Sequence, residues 1–153
     1  MMNGFEFTEH IARSPQDVFG VISNPTEATK FLDNIKASKK LTDGPVGVGT
    51  KFRETRVVGG KEASADLLVS AYEPNTHVGI SSEAEGIKVE YHYRLSPEGS
   101  GTRLRWTCDL EASGLRKMML PMVAGIMKKE DGDHLRRLKR YLETAPEELD
   151  APG

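Results

Sequence analysis

Ile87-Lys88-Val89-Glu90-Tyr91-His92-Tyr93-Arg94-Leu95 and Arg103-Leu104-Arg105-Trp106-Thr107-Cys108-Asp109-Leu110-Glu111 alternate apolar and polar side chains without a break. Period-two alternation describes antiparallel strands with one buried face and one wet face. Immediately afterwards the period lengthens. Leu115, Met118, Met119, Met122, Val123, Ile126 and Met127 recur at helical spacing, followed by Leu135, Leu138 and Leu142 with Arg136, Arg137, Lys139 and Arg140 on the other side. The spacing predicts a helix from near Ser113 to about Glu143. Pro121 removes a backbone hydrogen bond, so it either bends this helix, as a lid hinge would, or starts a new one. Gly125 and Gly132 lower its intrinsic stability, leaving packing to hold it. A sheet with a methionine-rich helix laid on it encloses either a solid core or a cavity for an apolar ligand.

In the hairpin, a register pairing Tyr91 with Trp106 and Lys88 with Asp109 is expected. The register two residues along sets Glu90 against Asp109, a like-charge pair that costs stability. The expected register gathers Tyr91, Tyr93 and Trp106 in one aromatic cluster on the buried face.

Towards the N-terminus, Phe5, Phe7 and Ile11 mark a first strand, reached directly from Met1–Asn3, with Glu9 on the apolar parity. Two short helices follow, each opened by a cap, a proline and an acid: Ser14, Pro15 and Asp17, then Asn24, Pro25 and Glu27. Val18, Phe19 and Ile22 give the first its buried face, and Ala28, Phe31 and Leu32 the second. The middle of the chain is a set of hairpins. Strands at Lys51–Val58, Lys61–Tyr72 and His77–Ser82 are separated by turns at Gly59-Gly60 and Glu73-Pro74-Asn75, and Pro97–Gly101 reads as a loop. Residues 1–144 form one domain; Ala145-Pro146 ends the helix and 145–153 reads as a flexible tail.

The 153 residues suffice for one domain with a real core. A net charge of −2 argues against a dedicated binder of nucleic acid or anionic membranes. The single cysteine, Cys108, excludes an internal disulfide, and no signal peptide is seen, so a cytoplasmic location is expected. The longest apolar run, Met118–Gly125, is too short for stable membrane insertion.

Few motifs carry chemistry. Gly44–Lys51 is glycine-rich, but Thr50 precedes Lys51 and a strand follows, so a hairpin is expected and not a phosphate loop. His10, His77, His92 and His134 lie on four different elements with no metal-ligand spacing, and no metal or cofactor is expected. Glu130-Asp131-Gly132-Asp133 lacks the pattern of a calcium loop and reads as exposed helix surface. Cys108 sits mid-strand on the apolar face, where cysteine behaves as a small hydrophobe. The methionines read equally as core filling or as an adaptable lining. The polar groups on apolar parities are the site candidates. A bulge or an edge is the alternative that would turn Glu9, Glu54 and Arg56 to water, and it is the expectation for the two carboxylates, Glu9 and Glu54, while Tyr91 and Tyr93 bring hydroxyls to the aromatic cluster.

Several stretches together resemble the START-like (SRPBCC) lipid-transfer superfamily, which includes the birch-pollen allergens, and within it the polyketide cyclase/dehydrase and lipid-transport family. They are Ile11–Phe19, Asn24–Glu27 with Phe31, Gly47–Phe52, Val69 through Tyr72-Glu73-Pro74, and Leu138–Glu143. Where many relatives carry tryptophan in the second helix, this chain has Phe31. The resemblance implies an α+β helix-grip fold: a seven-stranded antiparallel sheet wrapped around a long C-terminal helix, with two short helices after the first strand. It implies a cavity between sheet and helix for lipids, sterols, polyketides or similar molecules, and in some members cyclase or dehydratase activity. No universal catalytic residue carries over, and fold analogy leaves the chemistry open.

The resulting expectation is a binding or transport protein for a small hydrophobic or aromatic ligand. Phe52, Val89, Tyr91, Tyr93, Leu104 and Trp106 line its cavity from the sheet, and Met119, Met122, Val123 and Ile126 from the helix. The alternatives are a polyketide cyclase or dehydratase using the same cavity, and a module whose apolar groove takes a protein partner. No catalytic residue is assigned, and a homodimer stays open.

Overall fold

The computed structural model describes residues 4–58 and 60–144. The expectations for Met1–Asn3, for Gly59 and for the tail from Ala145 onward lie outside the described residues. The elements are β1 (Gly4–Ile11), α1 (Pro15–Ile22), a first 3-10 helix (Pro25–Lys30), β2 (Ile35–Lys40), β3 (Lys51–Val58), β4 (Lys61–Glu73), β5 (His77–Ala84), β6 (Ile87–Glu98), β7 (Gly101–Glu111), a second 3-10 helix (Gly114–Met119), α2 (Leu120–Asp131) and α3 (His134–Thr144). All strand pairs are antiparallel, in the order β1-β7-β6-β5-β4-β3-β2. Six consecutive strands form a meander and β1 closes onto its last member.

The caps act as their chemistry dictates. Ser14 Oγ accepts from the Asp17 amide at 3.1 Å, and Asn24 Oδ1 accepts from the Thr26 amide at 3.2 Å. The second short helix is a 3-10 turn rather than an α-helix. The strand β2 has no counterpart in the pattern of apolar residues. Its sequence, Ile-Lys-Ala-Ser-Lys-Lys, is polar because it forms the outer edge of the sheet.

The last hairpin adopts the other register. Tyr93 faces Trp106, Tyr91 faces Cys108, and Glu90 does face Asp109. The turn decides this. Glu98 pairs with Gly101, leaving only Gly99 and Ser100 between the strands, with Gly99 at φ 62°. Pro97 is therefore a strand residue, and a two-residue turn fixes every pair above it. The like-charge contact is offset, because Glu90 is held by His92 Nε2 at 2.6 Å and faces Lys88 Nζ at 3.8 Å. The aromatic cluster survives, since diagonal neighbours remain in reach: Trp106 stacks with Tyr91 at 5.3 Å and with Tyr93 at 5.7 Å between ring centroids.

The C-terminal helical segment is long but interrupted. Pro121 lies in the first turn of α2, where its missing amide costs nothing, so it starts a helix instead of bending one. Gly132 and Asp133 separate α2 from α3. The inner face of the sheet, α1, α3, Leu120 and Ala124 share one apolar core. Three long-range bonds tie the end of α3 to the exit of β1. The Ala12 amide donates to Glu143 Oε2 at 2.7 Å, Arg13 Nη1 to the Leu142 carbonyl at 2.9 Å, and Lys139 Nζ to the His10 carbonyl at 2.6 Å.

Candidate functional site

The inner face of the sheet does not fill completely. Tyr91 and Tyr93 from β6 and Trp106 from β7 form one wall of a chamber of about 80 Å³; Ile22, Pro25 and Phe31 from the α1 and 3-10 region form the other. At one end it meets Glu54 and Arg56 of β3, Asp131 of α2 and His134 of α3. Leu32, Arg56, Asp131 and His134 also border a second, outer cavity of about 210 Å³, together with Asp33, Glu130, Asp133 and Arg137. An aromatic chamber and a polar vestibule thus share Leu32, Arg56, Asp131 and His134 as a common border.

Glu54 and Arg56 reach the chamber because the β3–β4 ladder is regular throughout, from Lys51 opposite Leu68 to Val58 opposite Lys61. Without a bulge, the parity set by the fully buried Phe52 carries on to both residues. The expected turn of Glu54 to water is therefore corrected: its side chain is only 12% exposed and bonds Arg56 Nε at 3.0 Å. Burial works to lower the Arg56 pKa, but Glu54, Tyr91 and Asp131 outweigh it and hold the guanidinium charged. Glu9 differs. It sits on the edge strand β1 and accepts from the neighbouring His10 amide at 3.1 Å, away from the chamber.

Two tyrosines connect sheet and helices. Tyr91 Oη donates to Asp131 Oδ2 at 3.1 Å. Burial pushes the Asp131 carboxyl above the ordinary aspartate value, against the pull of Arg56 and of this hydrogen bond. Tyr93 Oη lies 2.7 Å from His134 Nε2. The His134 ring stacks on Trp106 at 4.1 Å, and burial, with Arg56 nearby, depresses its pKa to about 3, so the imidazole is neutral at physiological pH. When the ring proton is on Nδ1, Tyr93 donates to Nε2. Burial raises both phenols above the usual tyrosine range. Burial likewise pushes the Cys108 thiol up to about 12, which keeps it an inert hydrophobe.

A family described as polyketide cyclase / dehydrase and lipid transport matches residues 2–143. The chain belongs to this family. No curated protein matches it. Among solved structures, a START superfamily protein from Mycobacterium smegmatis is 21% identical over 95% of this chain and 97% of its own, with a TM-score of 0.69. Ara h 8.0201 is 17% identical over 92% and 97%, with a TM-score of 0.71. The di-domain ARO/CYC protein StfQ, from the steffimycin biosynthetic pathway, is 12% identical over 92% of this chain and 50% of its own, with a TM-score of 0.75. At these identities the likeness is one of fold, and the helix-grip architecture is shared.

Within that family fold, the ten residues expected to line a cavity separate into groups. Tyr91, Tyr93 and Trp106 border the chamber. Phe52 and Leu104 are fully buried in the core beside it, and Val89 packs against the same core partly buried. Met119, Met122 and Ile126 are exposed, and Val123 is partly buried against the core outside the chamber. The helix contributes Asp131 instead, from the four-residue acidic stretch that reads in sequence as exposed surface. One signal marks it. Extending the buried stripe of Leu135, Leu138 and Leu142 backwards at helical spacing passes through Asp131, Ala124 and Leu120. A carboxylate on that stripe demands a partner.

The histidines also behave differently from their separation in sequence. His77 and His92 are neighbours on the outer sheet face, with Nε2 and Nδ1 2.7 Å apart. Gly79 makes room for the His92 ring, since a Cβ there would lie 2.9 Å from it. Among the described residues no group of three or more His, Cys, Asp or Glu could hold a metal ion.

Proposed function

We propose that this protein binds or carries a small hydrophobic or aromatic ligand, its apolar body in the chamber and its polar head at the Arg56–Asp131 mouth. One observation carries the reading: an aromatic-walled chamber of about 80 Å³ bordered by the same Leu32, Arg56, Asp131 and His134 as a polar vestibule of about 210 Å³. Binding sites combine an apolar wall with a few placed polar groups in this way. Tyr91, Tyr93 and Trp106 are the contact wall, and Phe52, Leu104 and Val89 support it from behind. The chamber is smaller than the roughly 300–1,000 Å³ of drug-sized sites, so a lipid-sized ligand also occupies the vestibule or displaces the Phe31 side. Two carboxylates against one guanidinium disfavour a carboxylate head and favour a neutral hydroxyl or an amine. The same reading has the protein act in the cytoplasm without a nucleic-acid partner, in keeping with a net charge of −2 and one cysteine.

Native mass spectrometry of freshly purified protein tests this, backed by fluorescence of Trp106, the sole tryptophan. A copurified apolar molecule is the expected result, with alcohols and phenols quenching or shifting Trp106 more strongly than matched carboxylic acids. No bound molecule, and no Trp106 response across a broad lipid and aromatic panel, would overturn it.

A cyclase or dehydratase is the second reading, favoured by the Tyr93–His134 and Tyr91–Asp131 pairs at the chamber wall. A neutral imidazole can take a proton and a phenol can return one. Loss of turnover on polyketide-like substrates in Tyr93→Phe or His134→Gln supports it. Unchanged turnover in both removes it.

A further inference from the structure

The second 3-10 helix and α2 carry an apolar surface that the fold leaves uncovered. Leu115 is 84% exposed and Met118 80%, and Met119, Met122 and Ile126 are exposed as well. In a 3-10 helix residues three apart eclipse, so Leu115 and Met118 point the same way. From Met119, the residue before α2, Met122 and Ile126 of α2 follow at spacings of three and four, along one stripe. Burial of Leu120 and Ala124 on the other side anchors α2, so this stripe cannot turn inward without exposing them.

Within the stripe the charge is one-sided, with exposed Glu111 and Glu130 standing just outside it. From Gly114 to Lys129 the chain holds four basic side chains, Arg116, Lys117, Lys128 and Lys129, and no acid. All four are exposed and bracket the stripe at its two ends. The overall charge of −2 conceals this local excess.

The charge pattern selects the occupant. A second copy meeting the same face about a two-fold axis would set these basic groups against each other. A surface that offers apolar depth and negative charge together satisfies both features, and a bilayer with anionic headgroups is such a surface. Flexible methionines suit the irregular boundary between headgroups and acyl chains. We propose that the Gly114–Lys129 face docks reversibly on an anionic lipid surface. The attachment is peripheral, since among the described residues no helix is long and apolar enough to cross a membrane.

The test is flotation of the full chain with vesicles of phosphatidylcholine alone and of equimolar phosphatidylcholine and phosphatidylglycerol, at low and high salt. No added ligand is needed, so failure of the ligand-binding reading leaves this result interpretable. The protein is expected to float with the phosphatidylglycerol vesicles and to be released by high salt. Met118→Glu with Met122→Glu should lower the bound fraction about tenfold or more, and Lys128→Glu with Lys129→Glu should lower it with the methionines intact. Unfolding midpoints of both variants should stay near the wild type, because these side chains are exposed. Absence of phosphatidylglycerol-dependent flotation overturns the proposal, as does undiminished flotation of the methionine variant. A wild-type dimer that the methionine variant splits, without vesicle binding, assigns the face to a second copy instead.

Discussion

The final helix and the segment before it use their apolar side chains in opposite ways. α3 has few, but Leu135, Leu138 and Leu142 are all buried. The second 3-10 helix and α2 have many, yet only Leu120 and Ala124 among them are buried, while Leu115, Met118, Met119, Met122 and Ile126 face outward. In α3 charged residues occupy every other face, so only one orientation hides the leucines. In α2 apolar residues run nearly all the way round, and periodicity selects no face. What selects it is the partner surface. Apolar content is therefore a poor guide to burial unless a polar face accompanies it.

This contrast can be broken by measurement. Leu138 is fully buried, so Leu138→Ala should cost about 2–5 kcal/mol in urea unfolding. A cost below about 1 kcal/mol would mean that α3 is not the anchored half.

The second test is pH, through His134. Its folded pKa is depressed to about 3 from the ordinary 6.5, so the native state binds this proton less readily than the unfolded chain. Its contribution is complete above pH 6.5 and is lost as pH falls towards 3, at up to about 1.4 kcal/mol per pH unit. His134→Gln should flatten the stability profile over that window. An unchanged slope would show that the ring is solvated.

Tyr93→Phe sharpens the comparison further, because it removes the 2.7 Å bond to His134 that ties α3 to the sheet. A loss of about 1–3 kcal/mol is expected, measured by urea unfolding, since a buried ring nitrogen is left without its partner. The smallest effect belongs to the other region. Met122→Ala should change stability by no more than about 0.5 kcal/mol. A loss as large as that of Leu138→Ala would show that the methionine face is packed in solution.

Much of the fold was legible because local chemistry decides it. Ser14 and Asn24 cap where their side chains can satisfy free amides, and β6 and β7 bury the odd and even residues that their alternation designates. The aromatic cluster of Tyr91, Tyr93 and Trp106 was legible for the same reason. Other features escaped because they depend on distant partners. β2 is polar because it forms an edge, so no alternation announces it. The register of β6 on β7 follows a two-residue turn at Gly99-Ser100, and the repulsion between Glu90 and Asp109 is offset by His92 and Lys88. Asp131 read as surface because a carboxylate is normally wet, and only Tyr91 and Arg56 around it make its burial tolerable.

By itself the sequence determined which faces of β6 and β7 turn inward, since a period of two leaves no other choice. It also determined that Tyr91, Tyr93 and Trp106 share that face. Tertiary structure alone decided which polar groups join them. Glu54 and Arg56 from β3, Asp131 from α2 and His134 from α3 meet at one end of the chamber, and the methionines expected there are outside. Burying a charge is costly or tolerable according to its neighbours, and those neighbours come from parts of the chain far apart in sequence.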